Sequence, residues 1–308
     1  MKSLLQTAEW GEFKALNGEW FNFQAGQLSV LARKLPLGKY FFYIPEPISG
    51  DWQNTLESID EDLKPFIEKY HPVFIKIEPL EKQNEEIKHI FTKRKWRPAF
   101  EEVQPEHRQW IPLDLSDEEI LAQMKPKGRY NIKIAERNNV KIEIISEDNL
   151  EKGIEEFYHL ISQTGKRRDF SIRPKSYFLN LVKMLYRHNL GSLYLAKYNN
   201  KTAAGAIVTF KDDFAAYLYG ASSSEDRNIM APYLMHWQII RDAKEKECKI
   251  YDLLAISPPE REKHKYSGIT QFKNQFGGES ITLLGGWDKI ISPVWYNLFK
   301  IAEKIRRR

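Results

Sequence analysis

Between residues 193 and 219, three apolar runs, Leu193 to Tyr198, Ala203 to Phe210 and Phe214 to Tyr219, are separated only by Asn199-Asn200-Lys201 and Lys211-Asp212-Asp213. Such short polar turns suit hairpins, because Asn and Asp tolerate the left-handed backbone that tight reversals need. The three runs therefore read as a strand meander. A strand, Val140 to Ile145, and two helices, Leu150 to Thr164 and Lys175 to His188, precede it, and a long helix, Ala231 to Lys246, leads into a buried-looking strand, Ile250 to Ala255. That layout is a mixed sheet flanked by helices, an α/β or α+β architecture.

The first half has the same grammar. Gln27 to Leu35 and Lys39 to Ile44 read as strands joined by a Pro-Leu-Gly turn. Asp51 caps a helix carrying Leu56, Ile59, Leu63, Phe66 and Tyr70, and Val73 to Ile77 returns as a strand. A helix follows from Gln83, and Gln109 to Leu113 reads as the last strand of this half before Ser116 caps a new helix. At 308 residues, two domains of roughly 100 to 200 residues each are expected. The final helix begins at Ser292-Pro293, carries Val294, Trp295, Leu298, Ala302 and Ile305 on one side, and runs into Arg306-Arg307-Arg308. Those charges complement the helix dipole, with contact to anionic lipid at the inner membrane face as the second reading.

The 42% hydrophobic content fills two cores, and no stretch approaches the roughly 20 uninterrupted apolar residues that cross a bilayer. Met1 to Trp10 lacks the apolar centre of a signal peptide, so a cytoplasmic location is expected. The one cysteine, Cys248, excludes an internal disulfide and reads as core filler at a helix end. The histidines, His71, His89, His107, His159, His188, His236 and His264, show no ligand spacing, so no metal is expected. Phosphate-loop, nucleophile-elbow, dinucleotide and zinc-protease motifs are absent.

The net charge of +5 matters less than its placement. In Lys125-Pro126-Lys127-Gly128-Arg129-Tyr130-Asn131-Ile132-Lys133-Ile134-Ala135-Glu136-Arg137, the proline marks a helix start, and Lys125, Arg129, Lys133 and Arg137 recur every fourth residue. Like charges so spaced cost about 0.2 to 0.5 kcal/mol per pair, and Lys125, Lys127 and Arg129 sit at the positive end of the dipole. A phosphate partner relieves both strains. A solvated basic face is the equal alternative. A second basic group, Lys166-Arg167-Arg168, is expected in a loop before Arg173, which stands just ahead of a Pro-started helix and is able to fork onto a pyrophosphate. Tyr266 to Gly278 mixes glycines and aromatics around Lys273, either as a partly dry cleft for an ammonium or as a short helix closed by Gly277-Gly278.

Together these segments resemble the FemABX family of aminoacyl-tRNA-dependent transferases that extend the peptidoglycan stem peptide. The landmarks are QTAEWGEFK from Gln6, RKLPLGKYFFYIPEP from Arg33, KPKGRYNIKIAERNNV from Lys125, IRPKSYF from Ile172, YDLLAISPP from Tyr251 and GITQFKNQFGG from Gly268. The resemblance implies two tandem GNAT-like domains, residues 1–113 with 283–308 and residues 114–282. It implies that Arg173 binds the precursor's phosphates with help from Lys14, and that Tyr177 and Tyr219 line that cleft. Phe272 and Lys273 resemble the pair at the transfer centre, the lysine stabilising the tetrahedral intermediate. The expected partners are aminoacyl-tRNA and a precursor, either lipid II or UDP-MurNAc-pentapeptide. The protein is expected to be a monomer with no cofactor. Members acting on lipid-linked precursor often carry a helical-hairpin arm, and no heptad-patterned insertion occurs here. The rival is a GNAT enzyme using acyl-CoA. Its glycine-rich pyrophosphate turn is replaced here by Arg227-Asn228-Ile229-Met230-Ala231-Pro232, where Pro232 offers no N–H.

Overall fold

The computed structural model describes residues 2–16, 18–168, 171–260, 264 and 266–306. In chain order the strands are β1 (Trp20–Ala25), β2 (Leu28–Lys34), β3 (Tyr40–Pro45), β4 (Phe74–Glu78), β5 (Arg97–Pro98), β6 (His107–Pro112), β7 (Lys141–Ile144), β8 (Gly191–Tyr198), β9 (Lys201–Lys211), β10 (Phe214–Ser222), β11 (Ile250–Ala255), β12 (Glu279–Thr282) and β13 (Trp287–Ile290). They form two mixed sheets, ordered β1-β2-β3-β4-β13-β5 and β12-β6-β11-β10-β9-β8-β7.

The first sheet belongs to a unit made of Met1–Glu106 and Thr282–Arg308. β3 and β4 run parallel, and β13 pairs antiparallel with β4 through Trp287↔Ile77 and Ile290↔Phe74. Val30, Phe42, Ile44, Leu56, Ile75, Phe91 and Trp96 fill its core. The expected helix after Asp51 is two, Trp52–Asp62 and Lys64–Tyr70, meeting at buried Leu63. Pro65 is the cause, since its nitrogen cannot donate and its ring opposes the carbonyl four residues back. Phe66 and Tyr70 still pack on the same core. β1 was not expected at all.

The second unit is His107–Ile281. Its meander follows the expected hairpins, with β8, β9 and β10 successively antiparallel, and β10 then pairs parallel with β11. The strand expected to close the first half, β6, belongs here instead: Ile111 pairs with Tyr251 and Trp110 with Asp252 of β11. The division therefore falls after Glu106 rather than after residue 113. The physical reason is burial, because Arg108 finds its carboxylate on β11 and Ile111 enters the second core.

On one side of this sheet lie helices Pro126–Arg137 and Ala231–Glu245, against Tyr194, Ala196, Ala206 and Val208. On the other lie helices Leu150–Arg168 and Lys175–Arg187, with Phe157 against Gly205 and Phe178. The register of β10 on β9 slips between Tyr217 and Tyr219. Two residues apart, these rings would normally share a face. The bulge instead sends Tyr217 to His236, at 4.6 Å between ring centroids, and Tyr219 to Phe178, at 5.1 Å. Among the described residues no helical hairpin projects as an arm, and no helix is long and apolar enough to cross a membrane.

Candidate functional site

Strand β11 carries an acid inside an otherwise apolar run, and a buried acid needs partners. Asp252 Oδ2 accepts from Arg108 Nη1 at 2.9 Å, and Oδ1 accepts from the Leu254 N–H at 2.7 Å. The β11–β6 register slips between Asp252 and Ala255, and Leu254 takes φ 56°, a left-handed conformation that is costly for leucine. The Arg108–Asp252 ion pair, itself buried, therefore pins a strained bulge. That bulge presents the Ala255 carbonyl to the Lys273 Nζ, which donates to it at 2.7 Å.

Lys273 is the last residue of helix Ser267–Lys273 and is only 3% exposed. The helix is anchored at the outlet of β11, where Thr270 Oγ1 accepts from the Ser257 N–H at 2.7 Å. Burial pulls the Lys273 pKa down to about 8, opposed by Asp252 and assisted by Arg108. Behind it, His236 is held neutral, its pKa pushed down to about 3 by burial and by the Lys273 charge. Its Nδ1 lies 2.8 Å from the Tyr251 hydroxyl, and the rings of Phe272 and Phe276 stand 5.4 and 5.0 Å from the imidazole. The arrangement keeps an ammonium buried in a low-dielectric setting, with a neutral imidazole behind it. An ammonium has three donors, and Ala255 engages one.

Helix Pro126–Arg137 is joined to the segment that follows Lys273. The Lys125 N–H donates to the Gln275 carbonyl at 3.1 Å, and a Cβ on Gly128 would lie 2.3 Å from that same oxygen. Only glycine allows this approach. Lys125, Lys127, Lys133 and Arg137 are exposed, and Tyr130, at 58% exposure, shares a face with Lys133 and Arg137. Arg129 departs from the expected edge. Its Nη1 donates to the carbonyls of Leu121 and Ala122 at 3.2 and 3.3 Å and to that of Met124, which caps the end of helix Asp117–Gln123.

On the opposite face of the sheet, the hydroxyls of Tyr177 and Tyr219 lie 3.1 Å apart, and the Arg173 guanidinium sits 5.5 Å from the Tyr177 ring centre. Burial raises both tyrosine pKa values, so the pair stays neutral. Arg173 is exposed, two residues before helix Lys175–Arg187. Lys166 and Arg167 lie within helix Leu150–Arg168 rather than in a loop, and Asp169 and Phe170 fall outside the described residues. Lys14 lies in the first unit, its Nζ 5.5 Å from the Trp20 ring and 6.0 Å from that of Trp10. Among the described residues no group of three His, Cys, Asp or Glu side chains is arranged to hold a metal ion. Cys248 is buried just past a helix end.

Arg108, Asp252 and His236 were not singled out from the sequence. The available signal was charge inside apolar strands, at Asp252 within YDLLA and Arg108 beside QWIPL.

Comparison with known proteins gives a consistent result. The chain is 22% identical to the lipid II:glycine glycyltransferase of Staphylococcus haemolyticus, over 99% of this chain and 91% of that one. It is also 22% identical to the same-named protein of Staphylococcus aureus, over 99% and 95%. The crystal structure of FemX superposes with a TM-score of 0.84 at 20% identity, covering 96% of this chain and 94% of that one, so the two share a fold. The FemAB family model matches residues 97–203 and 187–304, and the chain belongs to the FemAB family.

Proposed function

We propose that this protein transfers an amino acid from aminoacyl-tRNA to the stem peptide of a peptidoglycan precursor, lipid II or its nucleotide-linked counterpart, acting as a monomer. The reading rests on the family and on one observation above others: the basic helix is fastened to the segment directly following Lys273. A surface fit for phosphates and a lysine fit for acyl transfer thereby lie on one rigid assembly.

The chemistry is attack by an acceptor amine on the ester of the charged tRNA. Nitrogen bonds to the carbonyl carbon, the carbonyl oxygen gains negative charge, and collapse breaks the bond to the ribose oxygen, which leaves as a hydroxyl by taking the proton that the amine gives up. Positioning and charge stabilisation supply most of such a rate. Lys273 donates to the developing oxyanion, and Phe272 and Phe276 keep water from screening it. Lys125, Lys127, Lys133 and Arg137 hold tRNA phosphates, and Tyr130 offers a stacking face to an unpaired base. Arg129 serves the site indirectly, through its carbonyl cap. Arg173, beside Tyr177 and Tyr219, is the clamp for the precursor's phosphates.

An acyl-CoA donor is disfavoured by the turn before helix Ala231–Glu245, where Met230 takes φ 56° and Pro232 lacks an N–H. Incubation with mixed charged tRNAs and both precursor forms, followed by mass spectrometry, tests the proposal. Aminoacylated precursor is expected, whereas transfer from acetyl-CoA with none from charged tRNA would overturn it.

A further inference from the structure

Helix Pro293–Arg306 has two apolar faces, and the fold uses only one. Inward, the Tyr296 hydroxyl donates to buried Asp288 at 2.7 Å, and Phe299 packs on Phe41, Phe74 and Phe100 at 6.0, 5.3 and 5.8 Å. Outward, Val294, Leu298, Ile301 and Ile305 are 70, 51, 55 and 68% exposed. Their spacing, at i, i+4, i+7 and i+11, makes a single narrow stripe along the whole helix. Leu37, 79% exposed, lies two residues from Lys39, whose Nζ sits 5.0 Å from the Trp295 ring, so the turn bearing Leu37 borders the same helix.

The stripe is edged by cations. Lys300 and Lys304 lie on one flank and Arg306 on the other, while the helix's one acid, Glu303, is buried and bonded to Arg306. A second copy of this face would bring like charge against like charge. A surface that is apolar beneath an anionic layer satisfies both features, and Trp295 is the ring type that favours such a boundary. At 14 residues the helix is too short to cross a bilayer, so it would lie in the plane of the interface.

We propose that this outward stripe docks the protein on an anionic phospholipid surface. The inference does not depend on which donor or acceptor the protein uses.

The test is co-sedimentation with vesicles of equal parts phosphatidylglycerol and phosphatidylcholine, against phosphatidylcholine alone, for the full chain and for Leu298→Glu/Ile301→Glu. Both substituted positions are exposed, and an unchanged melting temperature verifies the fold. The wild type should bind the anionic vesicles, more weakly as salt rises, and much less the neutral ones. The double variant should bind at least about tenfold more weakly, with transfer to a water-soluble acceptor unaltered. Equal binding by variant and wild type, or no wild-type binding, would overturn the proposal. A concentration-dependent dimer that the variant abolishes would also do so, giving the face to a second copy. Transfer activity is read separately, so loss of docking leaves the proposed reaction standing.

Discussion

Among the described residues each unit buries one lysine, and the two are treated oppositely. In the first, Lys76 is 1% exposed, its Nζ is 2.9 Å from Asp288 and donates to the Glu101 carbonyl at 2.8 Å, and the other Asp288 oxygen accepts from Tyr296. In the second, Lys273 donates to a carbonyl, and the nearby Asp252 is engaged by Arg108 and the Leu254 N–H. One charge is neutralised where it stands. The other is buried beside a carboxylate committed elsewhere, and burial lowers its pKa to about 8. A lysine fully paired within the protein serves the fold, while one kept short of a counter-charge can answer negative charge that appears during a reaction.

The largest effect should come from breaking the first lysine. Lys76→Met leaves Asp288 buried and uncompensated, which costs about 3–5 kcal/mol of stability. Denaturant unfolding should show that loss, and Lys76→Met/Asp288→Leu should recover most of it. If the single variant is as stable as wild type, Lys76 is not a structural charge. Lys273→Met should do the reverse, losing about a hundred- to a thousandfold in single-turnover transfer with nearly unchanged melting temperature. Near-normal transfer by that variant would remove Lys273 from the site. Next in size, Arg173→Ala should raise the precursor KM by about ten- to a hundredfold with a smaller change in kcat, because a clamp remote from the reacting carbonyl contributes uniform binding. A fall confined to kcat would sink the clamp assignment.

Periodicity and turn chemistry made the meander and the β11 strand legible, since hairpin loops of Asn and Asp leave little choice of neighbour. What escaped was set by contacts distant in sequence. β1 lay hidden because its aromatics alternate on a half-buried edge, although Gly26, at φ 57° in the turn between paired Ala25 and Leu28, was the available turn signal. The assignment of β6 to the second sheet depends on Arg108 meeting a residue far along the chain. The bulges at Tyr217–Tyr219 and Asp252–Ala255 are likewise tertiary, so Lys273 was visible as a motif while the Arg108–Asp252 pair behind it was not. Arg129 shows the converse, a charge with the right spacing that the fold spends on carbonyls.

The pH dependence sharpens the contrast. Folded Lys273 titrates near 8 against an ordinary 10.5. The unfolded chain therefore binds more protons between those values, and this residue's contribution to stability rises with pH across that window and is flat below it. Transfer should run the other way, falling as pH rises through about 8 and the ammonium is lost. Asp252 favours the charged form, so Asp252→Asn should move that falling limb to lower pH. Single-turnover rates that keep rising beyond about pH 9 in the wild type would show that the lysine acts uncharged or not at all.

The smallest effect concerns cations that are neither paired nor buried. Lys127 and Arg137 are exposed on helix Pro126–Arg137, where water screens them and substitution should leave stability nearly untouched. Their value lies in releasing counterions from a phosphate chain, so charged-tRNA binding should weaken steeply with salt. Lys127→Glu/Arg137→Glu should flatten the slope of log K against log salt by about one unit for each phosphate no longer neutralised. Arg129→Gln is the control, because its guanidinium is engaged by Leu121, Ala122 and Met124: it should lower melting temperature while leaving the salt slope alone. Filter binding across a salt series separates these outcomes. A slope unchanged in the double variant would make the edge a solvated face, and a slope changed by Arg129→Gln would return that arginine to the RNA surface.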